Sequence, residues 1–242
     1  MVRTEINNLK TSCSNCHVHE MCMPKTASQN LLQKLDSLIS VRKHIKFGTT
    51  IYHTGSHFHA LYAVKSGFIK TETLHEDGRV QITGFYMSGE ILGFDGIATD
   101  QHICTSVALE DSEICTIPLS WVERFNQGSD EISHHFYKLM GREIVRDHTI
   151  MLILGSMQTE ERVAAFMLNL SQRLQARGYS PYTLTLRMKR EEIGSYLGMK
   201  IETVSRILTK FQELGLLEVQ QKNIRILDMN GLKKAISQSP EI

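Results

Sequence analysis

The sequence predicts an α+β protein in which a β-roll, or jelly roll, is followed by one long helix and then by a winged helix-turn-helix. Three observations predict this order. Glycines separate short strand-like runs about every ten residues between residues 46 and 118. Apolar residues then repeat at helical spacing from residue 130 to 157. The last third ends with two short helical runs and two strand-like runs, the order of a winged helix-turn-helix.

These patterns divide the chain into a cysteine-rich start, a β-roll, a long helix and a C-terminal domain. A short amphipathic helix is predicted at 31–45, before the roll. Within the roll, Glu76-Asp77-Gly78 predicts a hairpin turn between two strands. In the C-terminal domain, Gly178 closes a first helix. The predicted parts are residues 1–30, 31–129, 130–158 and 159–242.

The composition is that of an ordinary soluble protein, with 41% hydrophobic and 22% charged residues. No run approaches the roughly 20 apolar residues that a membrane span needs. Residues 1–10 lack the apolar core of a signal peptide. We therefore expect a cytoplasmic protein without membrane contact, whose five cysteines stay reduced and form no disulfide scaffold.

Three of the cysteines form a C-x2-C-x5-C pattern made by Cys13, Cys16 and Cys22. A C-x2-C pair lets two thiolates bind one centre from a tight loop, and a four-thiolate site needs one more ligand. Either Cys104 or Cys115 is able to supply it, although a lone cysteine in a strand is often simply buried as a small apolar residue. Zinc and iron–sulfur clusters both accept four thiolates, so the residues alone leave the metal open.

The long helix carries one stripe of residues that follow one another at steps of four or three. A stripe of this kind packs against a core or forms a dimer seam. The carboxylate within the stripe separates these two interpretations poorly. In a seam it would face its own twin across a two-fold axis, and the like charges would repel. Such a helix would pair only marginally, as a regulated dimer requires. The predicted interface residues are Phe136, Met140, Ile144, Asp147, Met151 and Leu154.

The formal net charge of +1 conceals a partition between the two parts of the chain. From residue 161 onward there are 13 Lys or Arg and 8 Asp or Glu, whereas residues 1–160 have 14 and 18. The C-terminal third is therefore basic, with a net charge of +5, and the rest is acidic, with −4. This asymmetry is typical of a nucleic-acid-binding module attached to another domain.

The second helix of the helix-turn-helix carries the residues predicted to read DNA bases. Its apolar residues at 204, 207, 208 and 211 can pack inward, which leaves Glu202, Ser205 and Arg206 on one exposed face near the N-terminal end. Arg206 suits guanine, Glu202 suits the cytosine amino group, and Ser205 suits several base edges. The alternative is a surface ion pair between Glu202 and Arg206. Residues predicted to contact phosphates are Lys189, Arg190, Lys200 and Lys210.

Four motifs carry a resemblance to a known family. They are C-x2-C-x5-C followed by Met23-Pro24, the run ITGFYMSGEILGFDGI from Ile82, the run ALEDSEICTIP from Ala108, and the E-x-x-S-R pattern of the second helix. On these motifs, and over nearly the whole chain, the sequence resembles the oxygen-sensing branch of the CRP/FNR superfamily, that of the fumarate and nitrate reduction regulator.

The resemblance implies a cyclic-nucleotide-binding-like β-roll and one oxygen-labile [4Fe-4S] cluster per subunit. By resemblance the ligands are Cys13, Cys16, Cys22 and Cys115, and Cys104 lies outside the family pattern. It further implies that residues 1–30 bind the cluster, 31–129 sense it, 130–158 dimerise and 159–242 bind promoter DNA. Members form a homodimer while the cluster is intact, bind a TTGAT-N4-ATCAA type of palindrome, and mainly activate anaerobic genes by touching RNA polymerase, here with the surface from Thr83 to Glu90.

One departure from the wider superfamily concerns its cyclic-nucleotide pocket. Nucleotide-binding members carry an Arg-Ser or Arg-Thr pair in the β-roll, whereas this chain reads Cys104-Thr105-Ser106. A nucleotide phosphate would lack its bidentate partner, so no cyclic nucleotide is expected. No dinucleotide motif or nucleophile–base constellation points to an enzyme. The alternative function is a regulator of the same superfamily that uses zinc or a thiol redox switch instead of an iron–sulfur cluster.

Overall fold

The computed structural model describes residues 16, 22, 42–119 and 130–237. The chain divides into two compact units, Met1–Ile144 and Val145–Ile242. The predicted α+β class is confirmed: the N-terminal unit contains a β-sheet domain, helices follow, and the C-terminal unit contains a helix-turn-helix. No helix in the described ranges has both the length and the apolar character that crossing a bilayer requires.

The N-terminal unit contains two four-stranded antiparallel sheets. One has the strand order β1-β8-β3-β6 and the other β2-β7-β4-β5. The strands are Arg42–Ile45 (β1), Thr50–Tyr52 (β2), Ala60–Ser66 (β3), Phe68–Leu74 (β4), Val80–Met87 (β5), Ile91–Leu92 (β6), Thr105–Ala108 (β7) and Ser112–Pro118 (β8). The predicted hairpin joins β4 to β5, where Gly78 has a positive φ of 84° and the Arg79 amide donates to Asp77 Oδ1 at 3.0 Å.

The helix predicted at 31–45 is wrong in its last four residues. Residues 31–41 lie outside the described part of the chain, but residues 42–45 form β1, which pairs with β8 through Arg42 opposite Cys115. The apolar residues keep helical spacing up to residue 45, but the backbone of residues 42–45 makes its hydrogen bonds with a strand about 70 residues away. Such long-range pairing overrides local periodicity.

The roll has apolar residues on both sides of its first sheet. The inner core, to which both sheets contribute, consists of Tyr52, Val64, Ile69, Tyr86, Leu92, Cys104 and Ala108. The outer core lies on the opposite side of the first sheet and consists of Phe58, Leu61, Ala63, Ile91 and Ile117. Side chains alternate along a strand, so Ile114 and Cys115 of β8 point to opposite sides. Their partners in β3, Val64 and Ala63, belong to the inner and the outer core respectively.

The described helices are Asp130–Ser156 (α1), Thr159–Gln175 (α2), Arg190–Tyr196 (α3), Ile201–Glu213 (α4) and Met229–Ser237 (α5). Strands Thr183–Thr185 (β9), Leu217–Gln220 (β10) and Asn223–Ile226 (β11) form a three-stranded sheet in the order β10-β11-β9. The predicted helix, turn, helix and strand pair are confirmed. Helix α5 was not predicted, although Asp228 begins it by accepting from the Asn230 and Gly231 amides at 3.0 and 2.9 Å.

Two glycines allow the tight turn between α3 and α4. Gly198 has a φ of +63°, which side chains with a Cβ rarely adopt. A Cβ added to Gly194 would lie 2.6 Å from the carbonyl oxygen of Met199, so the two helices approach each other through a position without a side chain. The turn therefore holds α4 against α3 and leaves the other side of α4 exposed.

Candidate nucleic-acid interface and cysteine site

The recognition helix α4 has the two faces that its sequence predicts. Its buried residues are Val204, Ile207, Leu208 and Phe211. Glu202 and Arg206 are exposed, and Ser205 is half-buried. The three side chains predicted to read bases therefore lie on the outer side of this helix, near its N-terminal end, which is the end that enters the major groove in this motif.

Arg206 is not engaged by the acidic residue one turn before it. Its Nη2 atom is 3.5 Å from Thr203 Oγ1, at the limit of a hydrogen bond. Within the described ranges, Glu202 and Arg206 form no ion pair, so the alternative of a surface pair that occupies both charges is not supported. The guanidinium keeps donors available for a base edge.

The predicted phosphate contacts differ in how exposed and how occupied they are. Lys189 and Lys200, which precede α3 and α4, are exposed, and Arg190 is half-buried. The Lys189 amide donates to Glu192 Oε2 at 2.7 Å, so the neighbouring carboxylate caps α3. Lys210 Nζ lies 2.6 and 2.8 Å from the two carboxylate oxygens of Glu160. That pair is about half-exposed and therefore weak, so a DNA phosphate would compete with Glu160 for Lys210.

The middle of helix α1 exposes an apolar stripe. The exposed fractions are 52% for Ile144, 64% for Val145, 68% for Met151 and 61% for Leu152. Asp147 is exposed and lies between Ile144 and Met151 at helical steps of three and four. Val145 and Leu152 are not among the predicted seam residues, although each directly follows a predicted residue and the two lie seven positions apart. Exposed apolar residues in a row are typical of an interaction surface.

Both ends of the predicted interface contact the same chain instead. Phe136 packs against the outer core, with its ring centroid 5.9 Å from that of Phe94. Leu154 is half-buried, and its Cδ2 atom would lie 3.4 Å from a Cβ on Gly198 in the turn of the helix-turn-helix. Met140 is half-buried as well. Ile144, Asp147 and Met151 therefore remain as the exposed part of the predicted seam.

Two of the proposed cluster ligands, Cys22 and Cys115, border the outer core. Both pack against it, as do Phe136 and Leu139 of α1. The Cys22 carbonyl accepts a hydrogen bond from His135 Nε2 at 3.1 Å, and the Cys22 thiol lies 3.9 Å from the Gly89 carbonyl. Cys22, the roll and the long helix thus meet at one apolar surface within the N-terminal unit.

Arg42 and a third cysteine, Cys16, affect the ionisation of Cys115. Burial raises the pKa of the Cys115 thiol, the nearby Arg42 opposes this rise, and the nearby Cys16 adds to it. Cys16 is therefore close enough to Cys115 for the two to interact electrostatically. Cys13 lies outside the described residues. Among the residues that are described, no three His, Cys, Asp or Glu side chains lie in a group that could hold a metal ion.

Cys104 lies on the other side of the sheet from this surface. It belongs to the inner core, where its thiol is 3.2 Å from Asp95 Oδ2 and 3.9 Å from the Tyr52 hydroxyl. Burial, followed by the Asp95 charge, raises the pKa of Cys104 far above its usual value. The thiol is therefore held neutral and unreactive.

Asp95 holds the segment from His102 to Cys104 through several hydrogen bonds. Its carboxylate accepts from the amides of Ile103 and Cys104 at 2.9 and 3.3 Å. His102 Nδ1 lies 3.3 Å from it, and the imidazole stacks on Tyr52 with centroids 3.7 Å apart. Burial alone raises the pKa of Asp95, but these hydrogen bonds outweigh it and hold the pKa below its usual value. No sequence motif predicted the contact between Asp95 and His102 or the stacking of His102 on Tyr52.

Comparison with known proteins assigns the family. Residues 42–127 match the cyclic nucleotide-binding domain, and residues 161–235 match the Crp-like helix-turn-helix domain. The transcriptional regulatory protein btr of Bordetella pertussis is 42% identical over 226 residues, which cover 93% of each chain. The chain belongs to the CRP/FNR family. The fumarate nitrate reduction regulatory protein of Klebsiella oxytoca is 38% identical over 230 residues, covering 95% of this chain and 92% of that protein.

Solved structures of CRP/FNR regulators agree with this assignment. FixK2 from Bradyrhizobium japonicum has a TM-score of 0.76 at 25% identity, and the match covers 82% of this chain and 98% of that one. The CRP/FNR family consists of transcription regulators rather than enzymes. This chain is accordingly a DNA-binding transcription regulator whose helix-turn-helix is the DNA-binding module.

Proposed function

We propose that this chain is an oxygen-responsive regulator, mainly an activator of anaerobic genes, whose dimerisation depends on one labile [4Fe-4S] cluster per subunit. One observation carries the proposal. Cys22 and Cys115 pack against the same outer core as Phe136 and Leu139 of the long helix. Binding or loss of a group at these thiols would therefore change the packing of that helix directly.

The proposed ligands are Cys13, Cys16, Cys22 and Cys115, and their surroundings suit such a group. The outer core excludes water from one side of Cys22 and Cys115, and solvent access is one of the factors that tune an iron–sulfur site. When bound, the cluster supplies an iron centre that oxygen converts or removes. His135 ties the Cys22 backbone to α1, so ordered ligands and an ordered helix support each other.

We propose that two chains pair along the exposed stripe of α1, with Ile144 and Met151 at the seam and Asp147 opposing its twin. Pairing places two recognition helices about one DNA turn apart, the spacing that a palindrome of the TTGAT-N4-ATCAA type requires. Glu202, Ser205 and Arg206 would read bases, and Lys189, Arg190, Lys200 and Lys210 would contact phosphates.

Two further partner assignments belong to the proposal. RNA polymerase would be touched by the surface from Thr83 to Glu90, of which Thr83 is exposed and Ser88 half-exposed, while residues 84–87 are buried. No cyclic nucleotide would bind, because the Asp95 carboxylate would repel a phosphate and no arginine stands at residues 104–106. Cys104 would take no part in sensing, since it belongs to the inner core, whereas Cys22 and Cys115 pack against the outer core.

Purification without oxygen, followed by exposure to air, tests the proposal. Before exposure we expect about four iron atoms per chain, a visible charge-transfer absorption, a dimer and binding to the palindrome. After exposure to air we expect the iron, the absorption, the dimer and the DNA binding all to be lost. Zinc without iron, or equal DNA binding in both states, would contradict it. Adding a thiol reductant to the air-exposed protein is the control. Restoration of DNA binding without iron would show a thiol switch instead.

Replacing Arg206 with alanine should relax base specificity. A good bidentate contact to guanine contributes about 1–3 kcal/mol of discrimination. For each half-site, the preference for the sequence with guanine over the base-substituted sequence should therefore fall roughly five- to a hundredfold. Binding titrations of the intact palindrome and of palindromes altered at the guanine measure this at one salt concentration.

Lys200→Ala is the matched control for Arg206→Ala. Because Lys200 is exposed at the start of α4 and is expected to touch phosphate, its loss should weaken all sequences alike and reduce the salt dependence by about one charge per subunit. If Arg206→Ala also weakened all sequences alike, Arg206 would be a phosphate contact and the assignment of base reading would fail.

A further inference from the structure

Arg162, in the first turn of α2, binds three backbone carbonyls at once. Its Nη2 donates to Leu154 O at 2.8 Å, its Nε to Met157 O at 2.9 Å and its Nη1 to Leu197 O at 3.1 Å. The three carbonyls belong to the last turn of α1, the connection from α1 to α2, and the residue that follows α3. All four residues lie in the C-terminal unit.

These carbonyls need a donor because they lie at helix ends. The last four carbonyls of a helix have no partner within it. The amide four residues after Leu154 is that of Gln158, and it donates instead to Glu161 Oε2 at 2.7 Å. Glu161 is buried and caps the start of α2, while its neighbour Arg162 supplies the donors that the end of α1 lacks. A guanidinium suits this role because it presents five donors in a rigid planar fork.

The same place brings the long helix against the turn of the helix-turn-helix. A Cβ on Gly198 would lie 3.4 Å from Leu154 Cδ2 and 3.5 Å from Arg162 Nη1. The turn before the recognition helix therefore touches both the last turn of α1 and the guanidinium. A small rotation of α3 and α4 about this point would require Arg162 to release the Leu197 carbonyl.

We propose that Arg162 is a positioning residue that fixes the helix-turn-helix on the C-terminal end of α1 and so sets the separation of the two recognition helices in the dimer. The part that concerns the dimer rests on the proposed function. A dimer binds a palindrome tightly only if its two recognition helices contact both half-sites at once, since the second contact is then intramolecular. Binding to a single half-site does not depend on the separation of the two helices.

The test compares Arg162→Lys and Arg162→Met with the wild-type protein, all purified without oxygen. The DNA ligands are the palindrome, palindromes with a spacer one base pair shorter or longer, and a single half-site. We expect both variants to lose about tenfold to a hundredfold on the palindrome and less than about threefold on the half-site. Their preference among the spacers should flatten. Arg173→Met, on the same helix, is the matched control and should keep the wild-type preference.

Two results would overturn the proposal. Equal losses on the palindrome and the half-site would show that Arg162 only stabilises the domain, and an unchanged spacer preference would show that it positions nothing. Amide hydrogen exchange of the air-exposed protein gives a test that needs neither the dimer nor the cluster. In Arg162→Met the amides of residues 197–200 should exchange about tenfold faster, with those of 163–170 unchanged. Unaltered exchange at 197–200 would overturn the clamp even if the wild type failed to bind the palindrome.

Discussion

A Cys115→Ser variant, purified without oxygen, should contain almost no iron and should fail to bind the palindrome. An iron–sulfur cluster is held by thiolates, and a serine hydroxyl is a far poorer ligand for it at neutral pH. Cys115 lies on the side of β8 that faces the outer core, against which Cys22 also packs. Under the proposed function, its loss would remove the ligand that joins the N-terminal cysteines to the roll. Iron and acid-labile sulfide analysis, the visible spectrum and sedimentation measure the effect.

Cys104→Ser is the matched control, because it makes the same chemical change on the other side of the same roll. Cys104 contacts Asp95 and Tyr52 in the inner core, whereas Cys22 and Cys115 pack against the outer core. We expect wild-type iron content and DNA binding from this variant. Loss of iron in Cys104→Ser with retention in Cys115→Ser would reassign the fourth ligand. Thermal unfolding of the iron-free proteins shows whether either substitution harms the fold itself.

The helix-turn-helix could be predicted almost completely because its signals are local. In α4, the spacing of Val204, Ile207, Leu208 and Phe211 determines which face is buried, and the face that carries Arg206 follows by elimination. A helix makes its hydrogen bonds within itself, so periodicity and a turn glycine are enough to predict it. The helix predicted at 31–45 failed in its last residues for the opposite reason, since β1 depends on a distant partner in β8.

The surroundings of the cysteines could be predicted only in part. The C-x2-C-x5-C spacing shows that thiols are grouped, but which side of the sheet Cys115 faces depends on its register with Ala63 of β3. Because side chains alternate, a slip of one residue would have placed Cys115 in the inner core. The contacts of Arg162 with three carbonyls left no trace in the sequence, because backbone carbonyls are present at every residue.

The long helix shows how far a stripe of apolar residues can be interpreted. The repeat indicates which apolar side chains favour burial, but it does not indicate which part of the protein or of a partner each one packs against. Phe136 is covered by the roll of its own chain and Leu154 lies against the helix-turn-helix turn, whereas Ile144 and Met151 stay exposed. The part of the helix available to a partner is therefore its middle, and Asp147 lies within that part.

Replacing Asp147 with alanine should produce dimers that bind DNA in air. Two carboxylates about 4 Å apart repel by about 1 kcal/mol in water and about 4 kcal/mol near a protein surface. Removing that repulsion should strengthen dimerisation by roughly fivefold to a thousandfold. A shift from 1:99 to 99:1 needs about 5.5 kcal/mol, so we expect a substantial but incomplete activation. Sedimentation velocity and palindrome binding in air measure it.

Two related variants separate charge from shape at this position. Asp147→Asn removes the charge while keeping the size and should behave like Asp147→Ala, whereas Asp147→Glu keeps the charge and should remain monomeric in air. Salt screens repulsion between exposed charges, so wild-type dimerisation in air should increase with ionic strength while that of Asp147→Asn changes less. If Asp147→Ala and Asp147→Asn both stayed monomeric in air, repulsion at Asp147 would not control the dimer. The control would then have to come from how the outer core holds Phe136 and Leu139 of the same helix.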